Sequence, residues 1–181
     1  MALTRIGLNQ SINLASNVTG TLPVANGGTA ITSGFVNGGV NTPAFHAYKT
    51  ATQNVTSNTS TKAEFDVEVY DTAGAYDHSS NYRFTPQTAG KYFVYANLHL
   101  DGTSYPSYME TSIYKNGSVI AISAHPQAGN YFYGNILVET TVDMNGSSDY
   151  VEVYGKVTQS GTTHFGGGEK RKYFGAYKII E

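Results

Sequence analysis

The sequence contains no cysteine, which excludes disulfide staples, thiolate-bound zinc and thiol nucleophiles together. Charge is also scarce. Only 13% of the residues are Asp, Glu, Lys or Arg, about half the usual share for a soluble domain, so neutral Asn, Ser, Thr and Gly must carry much of the hydration. The formal net charge of −2 gives no electrostatic pull toward nucleic acid or an anionic membrane. No window approaches the ~18 apolar residues of a membrane span. The opening MALTRIGLNQ lacks the basic start and apolar run of a secretory signal, and the expectation is a soluble chain made in the cytosol.

Catalytic patterns are missing too. There is no Gly-x-Ser-x-Gly elbow, no Cys–His pairing and no dinucleotide fingerprint. Gly166–Gly168 lacks the Lys-Ser/Thr that completes a phosphate loop. His46, His78, His99, His125 and His164 show no ligand spacing. Glu64, Asp66 and Glu68 read as a solvated strand face rather than an acid/base set. In Asp143–Asp149, Gly146 falls at the wrong place for a calcium loop and no bidentate Glu follows. Six Asn-x-Ser/Thr sequons, among them Asn17, Asn54, Asn58, Asn116 and Asn145, are what chance gives in so Asn- and Thr-rich a chain. The expectation is a non-enzyme without cofactor or metal.

What is present divides in two. Up to Tyr48 the only formal charge is Arg5, and the only aromatic before Phe45 is Phe35. Residues 1–42 hold too little apolar surface to order themselves, so they read as an extended arm whose contacts come from sister chains or a docking partner. From Pro43 onward lie all 15 tyrosines, in short alternating runs broken by turn residues, the pattern of an antiparallel β-sandwich. Residues 43–181 are therefore one folded head with eight to ten strands and no helical stripe.

The clearest strand places Tyr92, Val94, Ala96, Leu98 and Leu100 on one face, with Lys91, Phe93, Tyr95, Asn97 and His99 on the other. Phe65, Val67 and Val69 alternate with the three acids. Val151, Val153, Gly155 and Val157 alternate with Tyr150, Glu152, Tyr154 and Lys156. Asn116-Gly117 and Asn145-Gly146 are hairpin turn pairs, since both residue types accept the positive φ of a primed turn. The second faces carry Phe93, Tyr95, Tyr150 and Tyr154, either as part of a thick two-sheet core or as a trimer interface.

Between Lys62 and Leu100, the series Phe65, Asp71, Tyr76, Phe84, Gly90 and Tyr92 resembles the signature of the globular head shared by complement first-component proteins and tumour-necrosis-factor-like ligands. The segments SIYKNGSVI (112–120), VDMNGSSDYVEVYG (142–155) and THFGGGEKRKYFGAYKII (163–180) are similar to later hairpins and the closing strand of that family. One extra residue separates Tyr76 from Phe84, and Val94 and Ala96 stand where the family usually has aromatics. The resemblance implies an all-β, ten-stranded antiparallel jelly-roll sandwich and a homotrimer.

In the arm, Thr21–Thr29 (TLPVANGGT) resembles a segment recurring in tail-fibre and virion proteins of tailed bacteriophages, although Ala30 stands where another Gly usually follows. Pro23 stiffens the approach, and Gly27 and Gly28 permit a sharp turn or close packing about a threefold axis. Together the two resemblances imply a short trimeric phage fibre. Its arm (Arg5, Leu22, Pro23, Val24, Asn26, Gly27, Gly28) would dock on other virion proteins, of tail or capsid. Its head would meet a host-surface glycan or protein through Tyr105, Tyr108, His164, Lys170, Arg171 and Lys172. A capsid-decorating head fibre is the first alternative, and a secreted complement-like lectin or adhesin the second.

Overall fold

The computed structural model describes residues 41–126, 133–166 and 169–180. The proposed attachment residues Arg5, Leu22, Pro23, Val24, Asn26, Gly27 and Gly28 lie outside the described residues, as do Gly167 and Gly168. Among the described residues every regular element is a strand except one 3-10 turn at Glu169–Arg171. In chain order they are β1 (Ala44–Tyr48), β2 (Gln53–Val55), β3 (Thr61–Lys62), β4 (Val67–Asp71), β5 (Tyr76–Asp77), β6 (Arg83–Phe84), β7 (Ala89–Gly102), β8 (Tyr108–Lys115), β9 (Ser118–Pro126), β10 (Tyr133–Asn145), β11 (Val151–Thr158), β12 (Thr163–Phe165) and β13 (Tyr173–Ile180).

These strands form two antiparallel sheets packed as a jelly-roll sandwich. The seven-stranded sheet runs β2-β12-β7-β13-β1-β4, with β10 on the other side of β7; the six-stranded sheet runs β5-β6-β11-β8-β9, with β3 beside β11. At 14 residues β7 is long enough to pair β10 along one edge, while β13 and then β12 share the other.

The alternation read from β7 holds. Tyr92, Val94, Ala96, Leu98 and Leu100 are fully buried between the sheets, and Val151, Val153 and Val157 meet them from β11. An aromatic cluster closes one part of the core: Phe45 stacks on Tyr76 and on Phe84 at 4.6 Å and meets Phe174 edge-on at 4.8 Å. Each such ring stabilises the fold by about 1.5–3 kcal/mol through burial. The buried Tyr76 hydroxyl donates to the Phe65 carbonyl at 3.0 Å, so no polar group is stranded there.

Two expectations are corrected here. Asn116 (φ 50°) and Gly117 (φ 79°) do make the tight β8–β9 hairpin, but Asn145-Gly146 joins β10 of one sheet to β11 of the other. Its Asn145 Oδ1 accepts from the Ser147, Ser148 and Asp149 amides, which makes it a corner between layers. Asp149 locks that corner by accepting from Lys115 Nζ at 2.8 Å and Asn116 Nδ2 at 2.8 Å. Val69 is 57% exposed instead of buried, because the β1–β4 register skips it in a bulge, which turns its side chain out of the alternation.

Candidate functional site: two aromatic faces and a polar end

Alternation leaves a second set of side chains on the outside of the seven-stranded sheet. Register places Tyr95, Gly175, His46 and Tyr70 in one row across β7, β13, β1 and β4; Asn97, Tyr173, Tyr48 and Val67 form the next. Their rings make a continuous plate. His46 lies 6.0 Å from Tyr95, 5.8 Å from Tyr173 and 6.2 Å from Tyr70, and Phe93 lies 5.5 Å from Tyr177. Gly175 shapes the plate: a Cβ there would stand 2.5 Å from Tyr95 Cζ. Lacking one, it lets the Tyr95 ring cross β13 and bring its hydroxyl 3.1 Å from His46 Nδ1.

Electrostatics assign that bond. Burial raises the Tyr95 phenol well above its ordinary value, with Tyr70 reinforcing the shift. Burial lowers His46. The phenol therefore keeps its proton and donates to a neutral imidazole. Beside the pair, His46, Tyr48, Tyr173 and Lys170 line a shallow recess of about 390 Å³, with Lys170 itself exposed at its rim.

The other four-residue prediction splits at this point. Phe93 and Tyr95 belong to this plate, whereas Tyr150 and Tyr154 lie on the outside of the six-stranded sheet, on the opposite side of the sandwich. There Tyr154 stacks near Tyr114 at 4.2 Å, Arg83 sits 4.5 Å over the Tyr150 ring, and Lys62 pairs with Glu152 at 2.5 Å. A thick core made of all four rings is excluded, because the first faces fill the core and these rings point outward.

A third feature is apolar exposure near the β9 and β10 edges. Ile122 and Val119 on β9 are 55% and 43% exposed, and Leu137 and Tyr133 on β10 are 47% and 52% exposed.

The residues expected at loop tips are dispersed. Tyr105 is exposed on the loop after β7, which is held against residues 158–162 by Thr103 N donating to Thr162 O and Ser107 N donating to Thr158 O. Tyr108 is no loop residue: it opens β8, its hydroxyl donates to Glu110 Oε2 at 2.7 Å, and Lys156 lies 5.6 Å over its ring. His164 is in β12, where its Nε2 faces Asp101 Oδ2 at 3.3 Å. His99 approaches the same oxygen at 4.0 Å and has Asn135 Oδ1 2.9 Å from its Nδ1. Among the described residues no three His, Asp or Glu side chains are arranged to hold a metal ion.

The basic run also divides. Lys170 and Arg171 are exposed on the 3-10 turn, and the Arg171 carbonyl accepts from Asn97 Nδ2 at 2.7 Å. Lys172 is fully buried, with its ammonium 3.5 and 3.4 Å from the Thr50 and Ala51 carbonyls, and so is no surface contact. Burial is tolerated because backbone oxygens replace water around the charge. Sequence reasoning missed His46, Tyr70, Tyr173, Gly175 and Tyr177, although the Tyr-x-Gly-x-Tyr alternation of 173–177 was in view.

No protein-family model and no curated protein sequence matches the chain. Solved structures do. The tumour-necrosis-factor protein Eiger from S. frugiperda superposes with a TM-score of 0.59 at 10% identity, over 76% of this chain and 92% of that one. Murine APRIL at pH 8.0 gives 0.56 at 10% identity, over 75% and 98%. The head has a tumour-necrosis-factor-like jelly-roll fold. At that identity the likeness is one of fold.

Proposed function

We propose that the chain is a short trimeric fibre protein of a bacteriophage particle, with an arm that docks on other virion proteins and a jelly-roll head that binds a host surface. Binding, not turnover, is its task. The observation that carries the reading is the aromatic plate outside the core of the seven-stranded sheet, which is more half-buried ring surface than a solvated face needs.

Threefold association is heterologous, so two different patches must meet. The plate, extended on β10 by Leu137 opposite Asn97 and Tyr133 opposite Asp101, supplies one, and the exposed Ile122 and Val119 of β9 on the other sheet supply the other. The tumour-necrosis-factor-like fold supports such a trimeric, receptor-binding head. The resemblance of Thr21–Thr29 to phage virion segments supports the attachment role of the arm.

Host contact is assigned to the end of the head bearing Tyr105, because Tyr offers a stacking face and a hydroxyl at small entropic cost. Three copies would turn weak single contacts into firm attachment. The test combines sedimentation of the full chain with immunogold labelling of intact particles. A trimer mass with label on the tail is expected. A monomer mass with unlabelled particles overturns the proposal, and label spread over the capsid converts it to a decorating fibre.

A further inference from the structure

The plate holds a titratable histidine among phenol rings, bonded to one of them. His46 lies amid Tyr70 of β4, Tyr95 of β7 and Tyr173 of β13, with Tyr48 on its own strand and Lys170 at the rim of the adjoining recess. By register Glu139 lies opposite Tyr95 on β10, and Glu68 of β4 lies opposite Ala47, whose side chain is in the core. Glu68 already faces His78 at 2.7 Å. Among the described residues that line the recess, Lys170 is the cationic group beside His46 and none is an acid.

We propose that this plate is an acid-sensitive latch, in which protonation of His46 separates copies of the chain joined through the outer face of the seven-stranded sheet. The inference rests on the trimer reading above. A neutral His46 accepts the Tyr95 hydroxyl. A protonated one forces that bond to reverse, since both ring nitrogens then donate, and it places a cation among aromatic rings beside Lys170. In an assembled trimer three such cations would be withdrawn from water, with no carboxylate among the described lining residues to pair them.

The sign follows from linkage. His46 is depressed from its ordinary value of 6.5 by burial already in the single chain, and covering the face excludes more water. The separated state then binds more protons than the assembled one. Association is fully expressed above pH 6.5 and is lost as pH falls through the free-chain value toward that of the assembly. With one site per copy, the dissociation constant should rise by up to about a thousandfold per pH unit in that window.

The test is sedimentation velocity of the full chain at pH 7.5 and pH 5.0, with circular dichroism at both. His46→Asn keeps an acceptor for Tyr95 without a titrating ring, and His46→Phe keeps the ring without either. Expected is a wild-type trimer at pH 7.5 that becomes folded monomer at pH 5.0, with both variants trimeric at both. A wild type that stays trimeric at pH 5.0, that unfolds there, or whose variants dissociate as it does, overturns the latch while leaving the trimer standing. A monomer at pH 7.5 overturns the trimer and the latch with it.

Discussion

Tyr95 lies across Gly175 and reaches His46 Nδ1 at 3.1 Å, so one residue without a side chain decides how three strands present their rings. Gly175→Ala would put a methyl against the Tyr95 ring and within 3.0 Å of the Phe45 carbonyl. The ring can swing outward, which limits the cost to the fold to about 1–2 kcal/mol. Self-association should weaken at least tenfold, as read by sedimentation equilibrium. A variant that associates like the wild type would remove the plate from the interface.

The hairpin at Asn116-Gly117 was legible because its chemistry is local: two consecutive residues of positive φ closing adjacent strands. Asn145-Gly146 carries the same letters, yet nothing local states whether the next strand joins the same sheet. Here Lys115 and Asn116 gather around Asp149 and turn the chain to the other layer. The alternation of β7 and β11 gave the core directly, while Val69 was misread because a bulge is a property of the pair, visible only once β1 is beside β4. The candidate site was legible at Phe93 and Tyr95. It was invisible at His46 and Tyr70, which reach the plate through pairings of β1 with β13 and β4 that no short window contains.

Tyr105 and Tyr108, which looked equivalent in the sequence, should behave differently. Tyr105→Ala alters an exposed side chain and should leave the melting temperature within a degree or two while reducing adsorption to host cells. Tyr108→Ala removes the hydroxyl that donates to Glu110, itself buried, and should cost about 1–3 kcal/mol. Unchanged adsorption with Tyr105→Ala would take this loop out of host contact.

Lys170 and Lys172 should separate in amine chemistry. Lys170 is exposed, whereas Lys172 is fully buried against the Thr50 and Ala51 carbonyls. Brief acetylation of the native chain followed by peptide mass mapping should modify Lys170 and spare Lys172 until the protein is denatured. Equal labelling under native conditions would mean that Lys172 is exposed with Lys170 and returns to the host-contact candidates.

The corner between the sheets makes a pH prediction of its own. Hydrogen bonds from Lys115 and then Asn116 hold the Asp149 carboxyl below its ordinary 3.8 against the opposing effect of burial. Its ionised form therefore stabilises the fold above that value, and the contribution is lost as pH falls through the lowered one. Asp149→Asn keeps the size of the side chain but gives up the ion pair with Lys115 at 2.8 Å. The variant should melt lower than the wild type at pH 7, by an amount equivalent to about 1–3 kcal/mol for a charge-assisted bond at a partly buried site. The gap between the two melting curves should then narrow steadily below pH 4, because the wild type itself protonates there. A gap that stays constant down to pH 2 would show that Asp149 acts through shape and not through its charge, and the corner would be held by Asn145 and its three amide donors alone.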